Sequence, residues 1–143
     1  MKNKVTIILV LLFIILSIVL LINIQNFQKT ETKNAEIIMI AKQWRFEIIN
    51  ATGILKYEYI PIGETRANLT IYLSKNTMVT IKIKSIDVVH GIGIEGFQVM
   101  ATLPPNEEVE IKFFANKEGK FKFYCTVFCG TGHPEHLGYF VII

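Results

Sequence analysis

Twelve residues near the C-terminus, Cys125-Thr-Val-Phe-Cys129-Gly-Thr-Gly-His133-Pro-Glu-His136, hold both cysteines of the chain and two of its three histidines. Thiolate and imidazole are the soft and borderline donors that copper and zinc prefer, so the grouping points to a transition-metal site. The third histidine, His90, lies well upstream. The residues alone leave two other readings open. Two thiolates with two or three imidazoles can close a tetrahedral zinc site, although structural zinc sites usually place a second ligand pair elsewhere. A Cys-x3-Cys pair outside the cytoplasm can also be a disulfide.

The elements around the motif favour copper. Gly119-Lys-Phe-Lys-Phe-Tyr124 alternates apolar and polar and predicts a strand leading into Cys125, and Leu137-Gly-Tyr-Phe-Val-Ile-Ile143 predicts another leading away. Ligands on a loop between two late strands, with one distant histidine on an earlier loop, are how a copper-binding sandwich assembles its site. Further strands are expected over 36–41, 44–49, 54–60, 78–84 and 109–113, the last after the Pro104-Pro105-Asn106 turn. Several short strands bounded by Gly, Pro and Asn, without an amphipathic helix, predict an all-β sandwich or barrel of roughly 110 residues. Met100, set in Phe97-Gln-Val-Met-Ala101, reads as a core residue.

Cys-x3-Cys-Gly-x2-His, preceded by Asp87-Val-Val-His90-Gly, closely resembles the binuclear copper (CuA) domain of subunit II of the haem-copper terminal oxidases, the cytochrome c oxidase family. The likeness runs from about Glu36 to Ile143 and looks nearest to the short, single-anchor B-type subunits, as His90-Gly-Ile-Gly-Ile-Glu-Gly96 suggests. The resemblance implies a cupredoxin-like Greek key and two copper ions bridged by Cys125 and Cys129. By the same carry-over, His133 and the backbone carbonyl of Val127 complete one ion and His90 serves the other. Trp44, in Gln43-Trp-Arg-Phe46, matches the family's Gln-Trp-x-aromatic segment, where the tryptophan receives electrons from the donor.

Two positions depart from the family. The weak axial methionine three residues after the second histidine is His136 here, a candidate ligand to the ion held by His90. Val127 stands where many members carry a glutamate that binds magnesium. A carbonyl ligand survives that change, but a magnesium site through the side chain does not.

The chain has 143 residues, 51% of them hydrophobic and 19% charged, which suggests one domain with an uneven distribution of apolar residues. Val5 to Asn23 carries no charge and is long enough to cross a hydrocarbon core of roughly 30 Å as a helix. A cleaved signal peptide would have a shorter apolar region and a small-x-small cleavage site, and none follows. The expected division is a membrane anchor over 1–24, a polar linker over 25–35 and the copper domain over 36–143. Lys2 and Lys4 before the span put the N-terminus in the cytoplasm and the domain on the outer face of the cell membrane. Lys2, Lys4, Lys29 and Lys33 take four of the 15 Lys and Arg, and Glu31 takes one of the 12 Asp and Glu, leaving 11 of each sign from Glu36 onward. A nucleic-acid partner would need a basic stripe, and the balanced domain shows none.

The resemblance thus implies an electron-accepting subunit that takes electrons from a cytochrome c or a small blue copper protein. It would pass them to haem in a catalytic membrane subunit, where oxygen is reduced, and would not be catalytic alone. A membrane-tethered copper storage or delivery module is the alternative from another class. The CuA subunit of a nitric oxide reductase is a variant of the first reading.

Overall fold

The computed structural model describes residues 2–28, 32–62 and 66–143. They form two compact units, Met1–Glu31 and Thr32–Ile143. The first is a single helix, α1 (Lys2–Gln28), whose Thr6–Asn23 segment has a mean hydropathy of 3.1, apolar and long enough to cross a membrane. Of the linker expected over 25–35, residues 29–31 lie outside the described residues. The helix runs on to Gln28 and the first strand begins at Lys33.

Among the described residues the second unit contains ten strands: β1 (Lys33–Lys42), β2 (Arg45–Thr52), β3 (Lys56–Ile62), β4 (Arg66–Leu73), β5 (Thr77–Ser85), β6 (His90–Ile94), β7 (Val99–Leu103), β8 (Glu108–Ala115), β9 (Gly119–Tyr124) and β10 (Leu137–Ile142). They make a four-stranded sheet in the order β2-β1-β5-β8 and a six-stranded sheet in the order β3-β4-β10-β9-β6-β7. The pairs β1/β5 and β4/β10 are parallel, and the other pairs are antiparallel. This is the expected sandwich, with parallel neighbours supplied by long crossovers.

Alternation explains which residues form the core. In β1, Ala35, Ile37, Met39 and Ala41 are buried while the residues between them are partly exposed, and β5 repeats the pattern with Val79, Ile81 and Ile83. Leu69, Ile71 and Leu73 of β4 with Phe140 and Ile142 of β10 supply the opposing face. Phe46, Phe123 and Phe140 pack in series, the first pair edge-on with ring centroids 5.3 Å apart and the second tilted at 4.9 Å. Truncating a buried phenylalanine such as Phe46 costs about 3–5 kcal/mol.

Two expectations need correction. His90 is the first residue of β6 and not part of a loop. All five residues of β6 are buried because its outward positions are Gly91 and Gly93, covered by Thr126 and Tyr124; a Cβ at Gly91 would meet Thr126 Oγ1 at 2.0 Å. Met100 is 73% exposed, because β7 alternates and puts Met100 on the outer face opposite Gly93.

Candidate metal centre

The loop joining β9 to β10 is closed at its base by the ladder itself: the Cys125 N–H donates to the His136 carbonyl at 2.9 Å. Within it, a single 3-10 turn at His133–Glu135, with Pro134 in its first positions, is tied by His133 N–H to the Gly130 carbonyl at 3.0 Å and His136 N–H to the His133 carbonyl at 3.1 Å. These bonds fold the loop back so that residues 125, 129, 133 and 136 face one another.

The side chains converge accordingly. Cys125 and Cys129 are free and buried, with sulfurs 3.9 Å apart. His90 Nδ1 lies 3.7 Å from Cys125 Sγ, and His133 Nδ1 and His136 Nδ1 each lie 3.6 Å from Cys129 Sγ. The Cys125 thiol donates to the Val127 carbonyl at 3.1 Å. Ligand atoms of His90, Cys125, Cys129 and His136 all lie within 4.8 Å of one another, and all four residues are buried. Sulfurs at about 2.3 Å and nitrogens at about 2.1 Å from a tetrahedral ion sit roughly 3.8 Å (S–S) and 3.6 Å (S–N) apart, so the observed sulfur–sulfur and sulfur–nitrogen spacings fit metal ligation.

Burial sets the electrostatics. It raises the Cys129 thiol well above its ordinary value, and the neighbouring Cys125 pushes it the same way, so binding a metal must displace protons. His136, 1% exposed, is pushed down to about 3, first by burial and then by His90 and His133. The Arg45 backbone favours the protonated ring, yet Nε2 makes no hydrogen bond of acceptable geometry. Burial therefore favours the neutral ring well below the ordinary histidine value of about 6.5.

Three residues not singled out from the sequence support the site. Asp87 Oδ1 accepts from His90 Nε2 at 2.8 Å, which leaves the lone pair of Nδ1 facing sulfur. Burial alone would raise the Asp87 carboxyl, but the N–H groups of Gln43 and Val88 together with the His90 ring hold it below its usual range. Gln43 Nε2 donates to the Cys129 carbonyl at 2.6 Å, beside Trp44 Nε1 at 3.1 Å. Phe46 packs its ring 4.2 Å from that of His136. Asp87 was visible only as the residue three before His90, and nothing in the sequence marks the reach of Gln43 across 86 positions.

Trp44 is half-buried against the loop, where Gly132 makes room for it; a Cβ there would meet Trp44 ring atoms at 2.4 to 2.7 Å. Over the Cys129 side lies a shallow groove of about 380 Å³, with Val88, Val89 and Phe128 on its rim, Phe128 being 77% exposed.

No family model matches the chain. Cytochrome c oxidase subunit 2 of Thermus thermophilus is 28% identical over 72 residues, covering 50% of this chain and 53% of that protein. The chain thus aligns with about half the length of that curated relative. The periplasmic domain of subunit II of cytochrome oxidase from Bradyrhizobium japonicum superposes with a TM-score of 0.61 at 17% identity, covering 78% of this chain and 85% of that one. A chain of a haem-copper terminal oxidase dimer superposes with a TM-score of 0.61 at 21% identity, covering 99% and 98%. The structural likenesses show the fold, which is cupredoxin-like, and the curated relative carries the resemblance to subunit II read from the motif.

Proposed function

We propose that this chain is the electron-accepting subunit of a membrane-bound haem-copper oxidase, anchored once by α1 with its strand domain on the outer face. One observation carries the reading: two buried thiols 3.9 Å apart with three imidazoles around them, their loop held by the Trp44 indole through the Cys129 carbonyl. Cys125 and Cys129 would hold the two copper ions together with His133, the Val127 carbonyl, His90 and His136. Such a pair shares one electron over both thiolates with little change of geometry between oxidation states.

The chain's own residues do the rest. Asp87 fixes the His90 tautomer and Phe46 fixes the His136 ring, so the ligand geometry is set before the metal arrives. Trp44, bonded to the cysteine whose sulfur faces His133 and His136, is the route from the surface to the site. The donor, a cytochrome c or a small blue copper protein, docks on the apolar rim beside it, and haem in a catalytic partner subunit takes the electron onward to oxygen. The nearly complete burial of the thiols favours a resident cofactor over copper held as exchangeable cargo.

The test is the full chain loaded with copper under reducing conditions and then oxidised by one electron per pair. An EPR signal coupled to two copper nuclei is expected. A spectrum from one isolated copper, or metal analysis returning one zinc, sinks the reading.

A further inference from the structure

The two sides of the sulfur pair are not equivalent. His90 and His136 lie together on one side, with ring centroids 4.8 Å apart and ring planes at 84°, each presenting Nδ1 to a different sulfur. Outside that group stand His133, only half-buried and facing Cys129 Sγ, and the Val127 carbonyl, facing Cys125 Sγ. Imidazole is a far better donor than a carbonyl oxygen for borderline ions such as zinc and copper. Cys2His2 is, moreover, a closed tetrahedral set of the kind that holds structural zinc without any further ligand.

The ligands of the first side are also the more firmly held. All four residues are at most 5% exposed, His90 is oriented by Asp87, and His136 packs on Phe46. Since His136 Nε2 is buried without a partner, the polar contact of that ring is made through Nδ1, toward Cys129 Sγ.

We propose that His90, Cys125, Cys129 and His136 form a complete four-ligand subsite that takes the first metal ion and holds it alone, the His133 side filling second. The proposal rests on the copper-site reading above and adds an order to it. A one-metal form is then a stable species, and a divalent ion such as zinc occupies it fully and blocks formation of the copper pair. A methionine at position 136 would leave the same subsite with one strong ligand fewer.

The test titrates the full chain in detergent with Co2+ under reducing conditions, following thiolate-to-cobalt absorption and the stoichiometry by native mass spectrometry. The wild type is expected to stop at one ion per chain, and His133→Ala to do the same with unchanged affinity. His136→Met should weaken the ion at least about tenfold, because loss of even an outer-shell partner costs 10–100-fold. Circular dichroism of the sheet domain separates lost affinity from lost fold, and His90→Gln, with the same expected loss, serves if His136→Met unfolds. Uptake of two ions without a one-ion plateau, or equal weakening by His133→Ala and His136→Met, overturns the proposal. Repeating the titration with Cu(I) separates the two readings. A one-ion stage followed by a second ion supports both. A stop at one copper supports the four-ligand subsite and sinks the copper pair. Two coppers loading together, unaffected by His136→Met, sinks the subsite and leaves the pair standing.

Discussion

Asp87 joins two parts of the site: one carboxylate oxygen lies 2.8 Å from His90 Nε2, and the other accepts the Gln43 backbone N–H at 2.7 Å. The residue that orients a metal-facing histidine therefore also holds the segment that carries Trp44. Asp87→Ala frees the His90 ring and should lower copper affinity by about 10–100-fold, the usual effect of losing an outer-shell carboxylate. Competition against a chelator measures it. Asp87→Asn keeps an acceptor for the ring and should recover most of the loss. Equal affinity in Asp87→Ala and wild type would show that the contact does not position His90.

Trp44 touches the site through a backbone carbonyl and not through sulfur. Trp44→Ala should leave the copper spectrum intact while slowing electron acceptance from a reduced donor, by up to about a hundredfold if the route depends on close placement. Trp44→Phe keeps an aromatic ring and loses the N–H, so its rate should fall between the two. Stopped-flow mixing reads this directly, and a wild-type rate in Trp44→Ala removes the tryptophan from the path.

Most of the fold was legible because its strands alternate. The alternation of β5 and β9 can be read residue by residue in the sequence, whereas β1 is apolar throughout Ile37–Ala41 and shows its two faces only in the fold; the metal loop sits where the two flanking strands required. Strand β6 was not legible: with glycine at both outward positions, His90-Gly-Ile-Gly-Ile94 has no polar face, and its cover comes from Thr126 and Tyr124, more than thirty residues away. Met100 misled for the opposite reason, since an apolar residue on an outer face looks like core until the register is known. The metal-facing residues could be named from their chemistry and from the family likeness. Asp87 and Gln43 act through contacts that only the folded chain creates.

The surface over Cys129 presents Val88, Val89 and Phe128 rather than charge, and the domain from Glu36 onward is charge-balanced. Electron acceptance should therefore depend weakly on salt. Raising ionic strength from about 0.01 to 1 M shortens the screening length from roughly 30 to 3 Å. The rate should change by much less than the factor of about ten or more that steering supplies. Phe128→Asp, on a side chain that is mostly exposed, should slow the reaction without altering the copper spectrum. A steep loss of rate with added salt would point to a charged docking surface instead.

His136 gives the metal-free chain a pH signature. The unfolded ring takes up a proton near its ordinary value of about 6.5. The folded ring, buried beside Phe46 and His90, does so only at about 3. Between those values the unfolded chain binds the extra proton. The contribution of His136 is therefore fully present above about pH 6.5 and is lost as pH falls, with a limiting slope of about 1.4 kcal/mol per pH unit. Denaturant unfolding of the reduced, metal-free chain between about pH 4 and 7 should show this slope, and His136→Met, which carries no titrating group, should remove it. The difference between the two profiles isolates the ring from every other titrating group. Parallel profiles would mean that the imidazole is solvated or charged in the folded chain, which would also withdraw the buried Nδ1 lone pair from the list of metal donors.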